Sequence, residues 1–315
     1  MAEKQLNADV VAKPFREEIS AAVKALKKAP LLVGILANND VGSVRYAEMC
    51  GRWCEEVGVQ FELRQVESKF DLESEIVAAN SDPRVNGILV YYPVHGDGQD
   101  EYVRCCVTPL KDVEGLCHIW RFRMYHNVRD FSPLKLKCVL PCTPLAVLKI
   151  LHYCKLYDMT LPDGDQLRGK TVTVVNRSEV VGRPLAAIMA NDGAKVFSVD
   201  INGVHLYSRG PGIELHRHEE KETDEKLEDC LPQSDIVISA VPAKGFKVAT
   251  RLLKEGAVCI NVARFRNFED DVCDRASLYV RAVGKVTNAM LLRNLVRLTM
   301  HQQVLIDHDP YQLAP

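Results

Sequence analysis

The sequence predicts an α/β protein with an N-terminal α/β domain followed by a Rossmann-like domain built on a parallel sheet. Three observations carry this. Short apolar, β-branched runs alternate with helix-length amphipathic segments along most of the chain, which is the pattern of βαβ units. At 315 residues the chain exceeds what one hydrophobic core commonly serves, so two domains are expected. Residues 171–200, TVTVVNRSEVVGRPLAAIMANDGAKVFSVD, read as strand, tight turn, helix and strand, the length of a unit that binds a dinucleotide.

In chain order, residues 11–29 place Phe15, Ile19, Val23 and Leu26 on one helical face, and Pro30 ends the run. Residues 31–36 are apolar throughout and suit a buried strand, with Asn38, Asn39, Asp40, Gly42 and Ser43 in the loop after it. A helix over residues 44–56 stops near Gly58, and Tyr46 and Cys50, four apart, share a face of it. Residues 61–66 read as strand, 72–79 as helix and 87–92 as strand before Pro93. A polar loop, residues 111–116, follows another short helix. Pro141-Cys142-Thr143-Pro144 then introduces a helix over 145–154, with proline where the first turn leaves an N–H unpaired anyway.

The second half opens at Asp163, Gly164, Asp165 and Gly169. Residues 172–175 form the first strand of the βαβ unit and 176–182 its turn. Leu185, Ile188 and Met189 have helix spacing until Asn191-Asp192-Gly193 stops them. The second strand ends at Asp200, near the roughly 20-residue spacing at which an acid accepts the adenosine ribose hydroxyls. A carboxylate there repels a 2′-phosphate, so the unit favours NAD over NADP. Asn176 and Ser178 stand where the dinucleotide fingerprint has glycines, which leaves an ordinary βαβ crossover as the alternative. Residues 201–234 are a charge-dense insertion. Its His216-Arg217-His218 has metal-site spacing but no third ligand in a defined element, so it reads as a solvated loop. Residues 235–241 and 257–262 are further buried strands. Ala240, Val241, Asn261 and Ala263 lie at their C-terminal ends, where open α/β sheets bind ligands. A last helix spans 288–305, preceded by Thr287.

Composition narrows the classes. A net charge of −2 and a pI near 6.5 give no basic footprint for nucleic acid. No apolar run reaches membrane-spanning length, and the first residues lack the layout of a signal peptide. Eleven cysteines without a C-x-x-C pair read as reduced thiols. A soluble, cytoplasmic protein is expected.

Five stretches, in order along the chain, resemble the methylenetetrahydrofolate dehydrogenase/cyclohydrolase family: Tyr46 with Ser43, KDVEGL, PCTP, NRSEVVGRPLA and VGKVTNAMLL. The resemblance implies that the final helix returns to the first domain. Residues 1–145 with 286–315 would then form the folate domain and residues 146–285 the NAD domain, with the ligands in the cleft between them. It also implies homodimers, and hydride transfer from 5,10-methylenetetrahydrofolate to NAD. Under it, Tyr46, Cys50, Tyr91, Asp112 and Glu114 line the folate site, with Tyr46 against the pterin and Glu114 on its N–H donors. Arg177 and Ser178 would meet phosphate or ribose, Gly182 would allow close backbone approach, Asp200 and Ile201 would flank the ribose, and Thr287 would reach the nicotinamide. Cys142, rigidly placed between prolines, is a candidate catalytic or cleft-lining thiol.

The departures from the family pattern carry information. Cys50 stands where bifunctional members have a lysine that assists water attack, and Tyr91 stands for the glutamine that supports it. Their joint loss implies a dehydrogenase without cyclohydrolase activity. Glu114 replaces an aspartate, and Val280, Arg281 and Ala282 stand in place of P-G-G. Another NAD enzyme, of shikimate or amino-acid type, remains open, although the Tyr46 face lacks the lysine it would want. So does an NAD-binding sensor without turnover.

Overall fold

The apolar runs and amphipathic segments become strands and helices largely where their spacing places them. The computed structural model describes residues 4–131, 134–210 and 217–307. Short 3₁₀ turns aside, the first half runs β1 (Gln5–Leu6), α1 (Ala8–Ala25), β2 (Leu31–Leu36), α2 (Val41–Val57), β3 (Gln60–Gln65), α3 (Leu72–Ser81) and β4 (Gly87–Val90). It continues through α4 (Gln99–Cys106), α5 (His118–Tyr125), β5 (Asp130–Phe131), β6 (Leu136–Lys137) and α6 (Cys142–Tyr153). The second half runs β7 (Thr171–Val175), α7 (Gly182–Asn191), β8 (Lys195–Asp200), β9 (Gly203–Arg209) and β10 (His218–Thr223). After it come α8 (Leu227–Cys230), β11 (Ile236–Ser239), β12 (Val258–Asn261), β13 (Leu278–Val280) and α9 (Gly284–Asp307).

The described chain divides into two units. One comprises Lys13–Phe122, Arg129–Cys142 and the chain from Asn288. Its parallel sheet, ordered β3-β2-β4, packs Val33, Ile35, Ile88 and Val90 against Leu72 and Ile76 of α3. Helix α2 starts three residues before the expected position because the Asp40 carboxylate caps it, accepting from the Ser43 N–H. Gly58 closes it at φ 82°, a left-handed conformation that glycine adopts without a Cβ penalty. The last helix returns to this unit: Asn294 Nδ2 donates to the carbonyls of Val113 and Leu140, and Gln302 Nε2 to those of Asn86 and Leu110.

The other unit comprises the chain before Lys13, Arg123–Val128 and Thr143–Thr287. Its sheet is ordered β1-β13-β12-β11-β7-β8-β9-β10 and is parallel from β1 to β8. Two short pieces expected with the N-terminal domain belong here. The first is the segment before Lys13, since β1 pairs with β13 at the sheet edge; the second is Arg123–Val128. Helix α7 is buried from Pro184 to Asn191, and its limits come from Gly182 and from the turn at Gly193.

The reading of residues 201–234 as a solvated loop is corrected. β9 and β10 form an antiparallel hairpin that extends the sheet beyond β8. Val204 and Tyr207 are buried under it, and Arg209 pairs with the buried Asp165. His218 opens β10 and stacks on Tyr207 at 5.3 Å, whereas His216 lies outside the described residues. Among the described residues, no helix is long and apolar enough to cross a membrane.

The turn between β7 and α7 depends on two backbone positions. Asn176 adopts φ 92°, which asparagine tolerates better than most side chains and which explains how it replaces a glycine. A Cβ on Gly182 would lie 1.7 Å from the Asn176 carbonyl oxygen. Gly182→Ala is therefore expected to destabilise the protein by about 3 kcal/mol or more in a denaturant titration, the upper end of overpacking costs. A loss under about 1 kcal/mol would contradict that packing.

Candidate functional site

Two groups of side chains concentrate the chemistry, one in each unit. In the α2-containing unit, the i, i+4 spacing puts Tyr46 and Cys50 side by side. The Tyr46 ring meets Trp53 and Tyr91 edge-on, with centroids 5.9 and 5.7 Å away. Its hydroxyl donates to Asn288 Oδ1 at 3.2 Å. The Cys50 thiol interacts with both tyrosine hydroxyls, and burial pushes it up to about 12. Burial likewise raises Tyr46 and Tyr91, so all three groups remain protonated in the neutral range. Gly34 makes room for Tyr91, because a Cβ there would come within 3.0 Å of the phenol.

The KDVEGL loop divides its two acids between different tasks. Asp112 is 4% exposed, and its carboxylate accepts from the backbone N–H groups of Glu114 (3.1 Å), Gly115 (2.9 Å) and Cys117 (2.7 Å). Three of its lone-pair sites are thus spent on shaping the loop. That loop presents Glu114, whose carboxylate has no hydrogen bond or ion pair among the described residues. Burial, with the charge of Asp112 added and Arg104 opposing, pushes Glu114 up to about 8. Cys142 begins α6. Its thiol donates to the Val113 carbonyl at 3.2 Å and lies 3.5 Å from Asn294 Nδ2. Burial first, then Glu114 and Asp112, hold it well above the ordinary thiol range, the opposite of an activated nucleophile. No lysine or arginine donates to Tyr46, Cys50, Tyr91 or Cys142 among the described residues.

In the sheet unit, the chain leaves β7 toward β8 on one side and later returns to β11 on the other. This switch point lies at the C-terminal ends of β7 and β11, where doubly wound sheets take ligands. The turn at 176–182 borders it. The Ser178 N–H donates to Asn176 Oδ1, and Ser178 Oγ accepts from the Val181 N–H. The Asp200 carboxylate accepts from the N–H of Arg177 at 2.6 Å and of Ile201 at 2.7 Å. Each oxygen retains a lone pair for a further donor. The Arg177 guanidinium is committed to the carbonyls of Ser198 and Gly203, both at 2.8 Å, and so braces the β8–β9 turn rather than reaching toward an anion. Ile201 is 95% exposed at the tip of that turn.

The ends of β11 and β12 are held by a residue the sequence did not single out. Asn267, fully buried, accepts from Ser239 Oγ and the Val241 N–H and donates to the Val241 carbonyl. Its own N–H donates to Asn261 Oδ1, while Asn261 Nδ2 reaches the carbonyls of Ala263 and Arg281. Asn261 is therefore internal bracing, and half-buried Ala240, Val241 and Ala263 remain at the edge. Nothing in RFRNFED marks Asn267, because an asparagine in a polar loop is ordinary. Thr287 lies in the first turn of α9, where its hydroxyl donates back to the Val283 carbonyl at 3.4 Å. The braced turn and the partly open Asp200 carboxylate fit a dinucleotide.

Comparison with known proteins agrees with both halves. The family model described as tetrahydrofolate dehydrogenase/cyclohydrolase, catalytic domain, matches residues 6–114, and that of the NAD(P)-binding domain matches residues 141–209. Methylenetetrahydrofolate dehydrogenase [NAD(+)] of Schizosaccharomyces pombe is 50% identical over 301 residues, covering 95% of this chain and 94% of that protein. The Saccharomyces cerevisiae protein of the same name is 48% identical over 307 residues, covering 94% and 96%. The solved NAD-dependent 5,10-methylenetetrahydrofolate dehydrogenase from Saccharomyces cerevisiae superposes with a TM-score of 0.92 at 47% identity, over 96% of this chain and 98% of that one. With two family domains in series and half-identical relatives along nearly its full length, the chain belongs to the tetrahydrofolate dehydrogenase/cyclohydrolase family.

Proposed function

We infer that the protein oxidises 5,10-methylenetetrahydrofolate to 5,10-methenyltetrahydrofolate with NAD, serves one-carbon and purine metabolism, and has no cyclohydrolase activity. The observation that carries the monofunctional reading is the protonated, cation-free group Tyr46–Cys50–Tyr91. The names of the fungal relatives support the reaction. Loss of hydride from the one-carbon bridge leaves a cation delocalised over two nitrogens, so no general base is required. Positioning is what the protein must supply, and in well-aligned reactions it is worth roughly 7–11 kcal/mol.

The unit carrying Tyr46 binds the folate and the sheet unit binds the dinucleotide. Tyr46 packs against the pterin, and the unpaired Glu114 carboxylate takes its amino and ring N–H donors. Cys50 and Tyr91 form a neutral wall that cannot polarise an attacking water. Cys142 supports the Glu114 loop through Val113 and does not react. In the sheet unit, Asp200 holds the ribose hydroxyls, and Ser178 and the Gly182 turn face the pyrophosphate. Ile201, Ala240, Val241 and Ala263 supply apolar lining, and Thr287 lies toward the nicotinamide. When bound, NAD supplies the hydride acceptor. Arg177 and Asn261 act indirectly, by fixing the turn and the strand ends. A homodimer in the cytoplasm completes the reading.

The protein should reduce NAD in the presence of 5,10-methylenetetrahydrofolate and use NADP poorly. Asp200→Ser should raise the NADP/NAD ratio of kcat/KM about tenfold or more, since it removes a like charge facing the 2′-phosphate. No NADH formation by the unmodified protein would overturn the reading, and an unchanged ratio would remove Asp200 from selection. Below pH 8 Glu114 is mostly the neutral acid, and above it the carboxylate that accepts N–H donors. The folate kcat/KM should therefore rise through about pH 8, and Glu114→Gln should flatten that limb. A rise that survives in Glu114→Gln would contradict the assignment.

A further inference from the structure

Asn288 is an anomaly on its own face of α9. It projects with Leu291 and Leu292 and lines, with Trp53, Cys50 and Tyr46, a small gap. It is 7% exposed. A carboxamide among leucines is unfavourable unless it is hydrogen-bonded, and leucine, nearly its isostere, would fill the same space without that cost. Its oxygen takes the Tyr46 hydroxyl at 3.2 Å.

Tyr46 needs such a partner. The edges of Trp53 and Tyr91 fix the plane of its ring but not the direction of its O–H. Cys50, one helical turn on, offers only a weak sulfur acceptor. Asn288 is the strong acceptor that the Tyr46 hydroxyl reaches.

We propose that Asn288 is a positioning residue for the folate: it anchors the Tyr46 hydroxyl and so holds the ring in one orientation for the pterin. This rests on the reading of the Tyr46 group as the folate site and adds to it a residue to which the VGKVTNAMLL stretch gave no role of its own. Asn288 acts through Tyr46, so its effect must vanish when the hydroxyl is gone.

A double-mutant cycle between Asn288→Leu and Tyr46→Phe tests this, with kcat and both KM values measured alongside thermal stability. Asn288→Leu is expected to raise the folate KM about tenfold and leave the NAD KM within about twofold. Tyr46→Phe should do the same, and the double variant should be no worse than the poorer single one. Asn288→Asp, which keeps an acceptor, should recover most of the folate KM. If Asn288→Leu does not fold, Asn288→Ala takes its place in the cycle. Additive losses, an equal rise in the NAD KM, or an Asp variant no better than Leu would overturn the proposal. Absence of turnover in the unmodified protein would instead remove the folate reading itself.

Discussion

Desolvation around Tyr46 is the constraint on which the rest depends. Tyr46, Cys50, Tyr91 and Cys142 are all weak acids, and each is buried enough to stay protonated. A lysine introduced among them would carry a large desolvation penalty unless a partner accepted it. Here the partners have changed with it: position 50 holds a thiol, and Tyr91 fills the space that Gly34 leaves open. The result is a site rich in donors, with one unpaired carboxyl group, Glu114, which burial pushes up to about 8. Such a site can orient a reduced pterin. It offers nothing that would make water a better nucleophile.

The dinucleotide side rests on a different device. There one carboxylate, Asp200, holds the backbone of the turn after β7 and of the turn after β8 at the same time. Arg177 reinforces this from the other direction, its guanidinium bridging to the carbonyls of Ser198 and Gly203. The group proposed to select the cofactor by charge thus also shapes the loop proposed to bind it. Substitutions at Asp200 will therefore alter affinity as well as preference.

Much of the fold was legible because continuous apolar runs have few alternatives. Residues 31–36 and 172–175 could only be buried strands, and Gly58, Gly182 and Gly193 set limits that the structure keeps. The hairpin was not legible. β10 reads HEEKET, largely exposed, with no alternation for a period-two pattern to detect. The roles of single polar residues were legible only in part. Spacing paired Tyr46 with Cys50, but whether a carboxylate faces substrate or its own backbone depends on burial. Asp112 accepts three backbone N–H groups of its own loop, whereas Glu114, two residues on, has no such bond among the described residues. Asn267 carries no local signature, and although Asn288 lies within VGKVTNAMLL, that stretch does not reveal its role, since the partners of both lie far away in the sequence.

The neutral Tyr46 group is the feature proposed to separate oxidation alone from oxidation followed by hydrolysis. The most direct measurement follows methenyltetrahydrofolate spectroscopically in the presence of the purified protein, against the uncatalysed rate. A protonated, cation-free site predicts that the methenyl product persists at the uncatalysed rate and accumulates one for one with NADH during turnover. Hydrolysis that scales with protein concentration would contradict it.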